Sequence, residues 1–177
     1  MKPTYLINEQ ICLRAPEPED LDIMYKMEND PSSWDVSCFV VPYSRYVLRQ
    51  YIEASQNDIF ADKQLRLMIV YRETNEVAGA IDLTDFVPMH GRAGVGIAVK
   101  DKFRRQGFAR QALELLVGYS FDFLHLRQLY AYVSVKNEAS HKLFCSCGFT
   151  QVGILKDWLR VKDGYEDVFF MQLINLV

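Results

Sequence analysis

Apolar and polar positions change period several times along the chain, and each change marks an element. Ile11 to Arg14 reads as a short strand. Pro16-Glu17-Pro18-Glu19-Asp20 then opens a helix, with its acids at the positive end of the dipole. Leu21, Met24, Tyr25 and Glu28 follow at helical spacing. Asn29-Asp30-Pro31 ends that helix, because a residue before proline avoids the α region. Trp34 to Pro42 reads as irregular, and Ser44 caps a second helix with Val47, Leu48, Tyr51 and Ile52 on one face.

Three strands come next, Leu65 to Tyr71, Val77 to Phe86 and Ala93 to Val99, with turns at Asn75-Glu76 and Pro88-Met89-His90-Gly91. Their close succession predicts an antiparallel meander. Ala109, Ala112, Leu113, Leu116, Val117, Phe121 and Leu124 form the 3.6-residue stripe of a long helix. Gln128 to Val135 is a strand, and Asn137 to Cys147 a short helix stopped by Gly148. Phe149 to Leu159 and Tyr165 to Leu176 make a hairpin around Lys162-Asp163-Gly164. The order β-α-α-β-β-β-α-β-α-β-β predicts an α/β fold: a mixed, mostly antiparallel central sheet flanked by helices. With no repeat or linker, residues 1–177 read as a single domain.

Composition narrows the function. The 177 residues are 50% hydrophobic and 24% charged, as in an ordinary globular domain, and the formal net charge is -3. No basic surplus points to nucleic acid, and no apolar run approaches the ~20 residues of a membrane span. Cys12, Cys38, Cys145 and Cys147 lack the spacing of a metal site or disulfide framework, so four reduced thiols, no metal and a cytoplasmic location are expected.

The chemistry concentrates between Gly96 and Ala109. A buried strand runs into a basic turn, and Gly107 opens the long helix. Unpaired N–H groups and the dipole at a helix start favour an anion. Gly107 lets backbone approach a phosphate closely, and Arg104, Arg105 and Arg110 add positive charge. The segment reads as a pyrophosphate cradle, or as an ordinary strand–turn–helix with a solvated basic loop.

Arg104-x-x-Gly107-x-Ala109 resembles the acyl-CoA pyrophosphate loop of the GNAT superfamily of N-acetyltransferases. Asn137-x-x-Ser140-x-x-Leu143-Phe144-x-x-x-Gly148-Phe149 resembles that superfamily's second cofactor-side motif, one helix and one strand downstream. Element order agrees over nearly the whole chain. The resemblance implies the GNAT fold, acetyl-CoA as acyl donor, and direct attack of an amine on the thioester. It further implies that the backbones of Ile97, Ala98 and Val99 pair with the pantetheine arm. The N–H groups of Arg105, Gln106, Gly107, Phe108 and Ala109 would hold the pyrophosphate, and Asn137 the pantetheine. Arg104, Arg110 or Lys142 would meet the ribose phosphate.

Two positions depart from the family pattern. Phe144 stands where many relatives place a Tyr that protonates the departing thiolate. Gly94 falls where many place a Glu that serves as base. Ser140 resembles a serine used near the sulfur by ribosomal-protein N-terminal acetyltransferases, and is the candidate acid. Asp82, in the apolar strand Gly79 to Phe86, is the candidate base. Asp85 joins Glu28 and Trp34 as candidate acceptor contacts, the carboxylates for charge and Trp34 for cation–π contact. A salt bridge from Asp82 or Asp85 to Arg92 is the structural alternative. The stretch around Asp82, Asp85 and Arg92 resembles the polyamine and diamine branch, and Tyr165-Glu166-Asp167 starts a stretch that resembles both the ribosomal-protein and the spermidine branches. The expected acceptor is therefore a polyamine or diamine, with a peptide N-terminus, a small toxic amine, or non-catalytic acetyl-CoA binding as alternatives. Neither nucleic acid nor membrane is an expected partner. The family's frequent dimers allow a homodimer through the C-terminal hairpin or a sheet edge.

Overall fold

Seven strands form one sheet in the order β1-β2-β3-β4-β5-β7-β6 in the computed structural model, which describes residues 5–30, 41–54 and 58–176. They are β1 (Ile11–Arg14), β2 (Leu65–Tyr71), β3 (Glu76–Val87), β4 (Arg92–Val99), β5 (Gln128–Ser134), β6 (Thr150–Val161) and β7 (Gly164–Ile174). The helices are α1 (Leu21–Glu28), α2 (Arg45–Ala54), α3 (Ile59–Asp62), α4 (Phe108–Gly118) and α5 (Glu138–Ser146). The expected mixed, mostly antiparallel sheet is present. Only β4 and β5 run parallel, and they pair over just three positions, Arg92↔Gln128 to Gly94↔Tyr130.

The two faces bury different helices. Ile69, Ile81, Leu83, Ala93, Leu129, Ala131 and Met171 point to one face, where Phe108, Ala112, Leu113 and Leu116 of α4 and Phe144 of α5 complete the larger core. Met68, Val70, Val77 and Ala80 point to the other and meet Met24 of α1 and Leu48 of α2. Period-two alternation along the strands and the apolar stripes of the helices produce this division directly. Arg14 of β1 fastens the entry to α1: its Nη1 and Nη2 donate to Asp20 at 2.6 and 3.0 Å.

Three local details differ from the sequence expectation. The short helix α3 is new; Asp58 caps it through Phe60 N at 2.8 Å. The long helix ends at Gly118 and continues as a π turn over Tyr119–Phe123, closed by Leu124 N donating to Tyr119 O at 3.1 Å. The widened turn stacks Tyr119 on Phe123, with centroids 5.2 Å apart. In β3 the register slips between Thr84 and Val87, so Asp85 and Phe86 together oppose Ala93. Strict alternation would drive Asp85 into the core behind Ile81 and Leu83. The bulge puts Phe86 there instead, 3% exposed, and Asp85 takes φ +46 and points out.

Candidate active site

Beyond Gly94 and Tyr130, β4 and β5 part, leaving one edge of β4 without a strand partner. The register against β3 decides which groups face that gap. Lys100 N donates to Ala78 O at 2.8 Å, which fixes the phase of the antiparallel ladder. Alternate residues Gly96 and Ala98 therefore turn their N–H and C=O groups to β3. Ile97 and Val99 turn theirs to the gap. Of the three residues expected to pair with a pantetheine arm, Ala98 is corrected on this ground: its main-chain groups belong to the β3 ladder, and only its side chain lines the cleft. In this state Val99 O accepts from Arg104 Nε at 3.1 Å, while Arg104 Nη1 pairs with Asp101 at 2.8 Å.

The gap leads to the start of α4. Gly107 is its N-cap at φ +83, and no side chain caps the helix. Arg105 also takes a left-handed conformation, φ +60. Left-handed residues on either side of Gln106 bend the chain sharply, and a turn that aims successive N–H groups to one side suits an anion. Phe108 anchors the turn from below, 2% exposed and edge-on to Phe103 and Tyr71 at 5.3 and 5.2 Å. A side chain at Gly107 would have room, since only Gln111 Nε2 comes within 3.6 Å of an added Cβ. The requirement for glycine here is conformational, and space above it is left for a ligand. Lys26, Lys100 and Arg104 surround a cleft of about 310 Å³ between α1 and the end of β4. Lys26, on the first helix, was not anticipated, since nothing in its local sequence distinguishes it. Arg110 is paired along its own helix with Glu114 at 2.8 Å, and Lys142 lies 3.5 Å from Glu138.

At the other end of the gap, Asn137 caps α5, its Oδ1 accepting from Ser140 N at 3.0 Å. Its Nδ2 is left to donate outward. Ser140 lies in the first turn of α5 and its hydroxyl makes no hydrogen bond among the described residues. Phe144 is 3% exposed and packs edge-on to Phe149 at 5.0 Å, so this position is given to the core. A side chain at Gly94 would require its neighbours to shift. An added Cβ would stand 2.7 Å from Thr84 Oγ1 and 3.2 Å from Tyr130 Cε2.

The face carrying α1 and α2 holds the candidate acceptor residues. Arg66 of β2 binds two of them at once. Its Nε and Nη2 donate to Asp82 at 2.9 and 2.8 Å, and its Nη1 donates to Glu28 at the end of α1. Burial opposes the guanidinium charge, but the charge and hydrogen bonds of Asp82, with Glu28 behind them, raise its pKa well above the usual value. The structural alternative paired Asp82 or Asp85 with Arg92; Asp82 pairs instead with Arg66. Both Asp82 oxygens are occupied by the guanidinium of Arg66. Arg66 was legible as a cation inside the apolar run Leu65 to Tyr71, yet its meeting with Glu28, on a distant helix, was not. Asp85 forms no ion pair among the described residues; its Oδ2 lies 3.4 Å from the Tyr130 hydroxyl. Trp34 lies outside the described residues.

An uncapped helix start beside a strand edge without a partner, in this fold, is the arrangement of an acyl-CoA-dependent acyltransferase. The chain matches the acetyltransferase (GNAT) domain family over residues 10–150 and belongs to that family. It is an acetyl-CoA-dependent N-acetyltransferase. It is 29% identical over 173 residues to an uncharacterised N-acetyltransferase, p20, of Bacillus licheniformis, with 96% of each chain covered. It is 28% identical over 172 residues to a spermidine N(1)-acetyltransferase of Vibrio cholerae, covering 96% of this chain and 95% of that one. The crystal structure of spermidine N-acetyltransferase from Vibrio cholerae in complex with CoA and spermine matches with a TM-score of 0.83 at 27% identity, covering 94% of this chain and 96% of that one.

Proposed function

We propose that the protein transfers the acetyl group of acetyl-CoA to a primary amine of a polyamine or diamine. The observation that carries this reading is the similarity to a spermidine acetyltransferase along 96% of the chain. The acceptor face supports it: Glu28, Asp82 and Asp85 stand there with Arg66 between the first two. In this reading the main-chain groups of Ile97 and Val99 bind the pantetheine arm as an added strand, displacing Arg104 from Val99 O. The N–H groups of Arg105 to Ala109 hold the pyrophosphate, Arg104, Lys26 and Lys100 supply charge beside it, and Asn137 Nδ2 donates to the arm. Orientation of amine against thioester supplies much of the rate. A thiol with a pKa near 8.5 leaves without a strong acid, which suits a site with Phe144 in the usual acid position. Ser140 is the nearest hydroxyl on α5 to serve there.

The domain is proposed to include β6 and β7, which complete the sheet beyond the matched family segment. Cys12, Cys145 and Cys147 are free thiols, which suits a reducing, cytoplasmic location. No helix of the described residues is long and apolar enough to cross a membrane. A homodimer remains the proposed association.

Thiol release from acetyl-CoA against spermidine, putrescine, short peptides with free N-termini and an aminoglycoside tests the acceptor. Turnover confined to spermidine or putrescine supports the proposal. Turnover with peptides alone transfers the acceptor to a protein N-terminus.

A further inference from the structure

The family's usual base position is Gly94, and the structure shows what fills the space. The edge of the Tyr130 ring and the Thr84 hydroxyl stand where a side chain at that position would begin, 3.2 and 2.7 Å from an added Cβ. Tyr130 is also the last residue of β5 paired to β4 before the strands part. Its half-buried hydroxyl therefore lies at the apex of the gap, on the face that carries the acceptor residues. From there it reaches Asp85 Oδ2 at 3.4 Å, and Asp85 is exposed.

Asp85 is in that place because of the bulge. Its φ of +46 is a conformation Asp and Asn tolerate better than other non-glycine residues. Without the extra residue its side chain would face the core, away from Tyr130. Strained backbone of this kind persists where its surroundings hold it, and it clusters at functional sites. Of the three candidate acceptor carboxylates, Asp82 and Glu28 are engaged by Arg66, and Asp85 forms no ion pair among the described residues.

We propose that Tyr130 and Asp85 form the proton outlet for the attacking amine, in place of the carboxylate that relatives carry at the Gly94 position. The ammonium gives one proton to the Tyr130 oxygen as the Tyr130 hydroxyl gives its own to Asp85, which passes it to solvent. The nitrogen lone pair then bonds to the thioester carbonyl carbon, and the carbon–sulfur bond breaks with its electron pair on sulfur. The second nitrogen proton leaves with the thiolate or to water. Tyr130 keeps its proton between turnovers: burial first, then the charge of Asp85, pushes its pKa up to about 12. The titratable and charged groups around it are Asp85 on β3, Arg92 on β4, whose charge acts the other way, and Tyr132 on β5. Phe170 and Tyr132 flank the Tyr130 ring, each with its centroid 5.6 Å away, and hold the hydroxyl toward Asp85.

This inference rests on acetyl transfer to an amine, whichever amine the acceptor panel identifies. The test uses that amine with Asp85→Asn, Asp85→Glu and Tyr130→Phe. Asn accepts the same backbone conformation, so the first variant removes charge alone; melting curves check that all three fold. For Asp85→Asn the expected result is about a 100-fold fall in kcat/KM at neutral pH, the usual scale of a lost proton-transfer group. The deficit should narrow as pH rises toward the amine's own pKa, with acetyl-CoA affinity in calorimetry unchanged. Tyr130→Phe should share the altered pH profile, and Asp85→Glu should recover part of the loss. Folded Asp85→Asn and Tyr130→Phe with kcat/KM within threefold of the parent at every pH overturn the outlet. A parent protein that acetylates none of the amines overturns the acceptor reading instead.

Discussion

At the scale of single residues, two side chains carry more than their neighbours in sequence announce. Arg66 ties β2 to β3 through Asp82 and to the end of α1 through Glu28. Replacing it by Met leaves two carboxylates facing each other in a half-buried site, and breaking such a pair costs about 3–5 kcal/mol. Urea denaturation of Arg66→Met should show a loss of that size. Asp82→Asn should cost less, since Glu28 still faces the guanidinium; the opposite order would remove Arg66 from its structural role. Gly107 supports a different expectation. Its φ of +83 disfavours any side chain, and the space above it is where the pyrophosphate is proposed to sit. Gly107→Glu should weaken acetyl-CoA binding at least about tenfold by calorimetry, a loss of about 1.4 kcal/mol. Unchanged affinity would move the pyrophosphate elsewhere.

At the scale of elements, the parting of β4 from β5 leaves the strand edge proposed to take the acyl donor. Ladder phase predicts alternating protection along β4. In the free protein the amides of Ile97 and Val99 should exchange with solvent hydrogen faster than those of Gly96 and Ala98, which β3 holds. Acetyl-CoA should slow the first pair and leave the second nearly unchanged. Uniform protection before and after addition would mean that the arm does not bind as a strand. Elements were also where the sequence was easiest to read. The meander of β2, β3 and β4, the helix opened by Gly107 and the short helix stopped by Gly148 follow from period and punctuation alone. The bulge at Asp85 did not: the successive polar residues Thr84 and Asp85 break the alternation, but that break is equally compatible with a strand that ends there, and only the pairing with β4 decides.

At the scale of the whole molecule, acid stability follows from carboxylates that the fold pairs. Burial pushes the Asp20 carboxyl up, but the hydrogen bonds from Arg14 and from Glu17 N outweigh it and hold the pKa below 3.8. The Ser134 hydroxyl and Lys136 lower Glu166, and Lys156 with Asp157 N lowers Asp167. Each of these groups has a folded-state pKa below its unfolded value. Each therefore contributes stability that is fully present above the unfolded pKa and is lost as pH falls through the folded one. Melting temperature should stay level from pH 7 to about pH 5 and fall below about pH 4. Asp20→Asn should lower it at neutral pH and flatten the acid slope. An unaltered slope would show that Asp20 is not among the groups responsible.

The sequence by itself determined the order of elements, the two-faced sheet and the family, and it located the proposed donor cradle. These depend on local rules: period, caps, a glycine where backbone must turn left-handed, and a motif whose residues are neighbours in the chain. Tertiary structure alone decided which carboxylates are engaged. Glu28, Arg66 and Asp82 lie on a helix and two strands, and no local pattern says that they meet. The same holds for Tyr130, an unremarked aromatic in a strand rich in them, which acquires a role only because β4, β5 and the β3 bulge converge on it. Long-range contacts of this kind arise from register and packing, and a one-residue slip in β3 was enough to turn Asp85 from the core toward the gap.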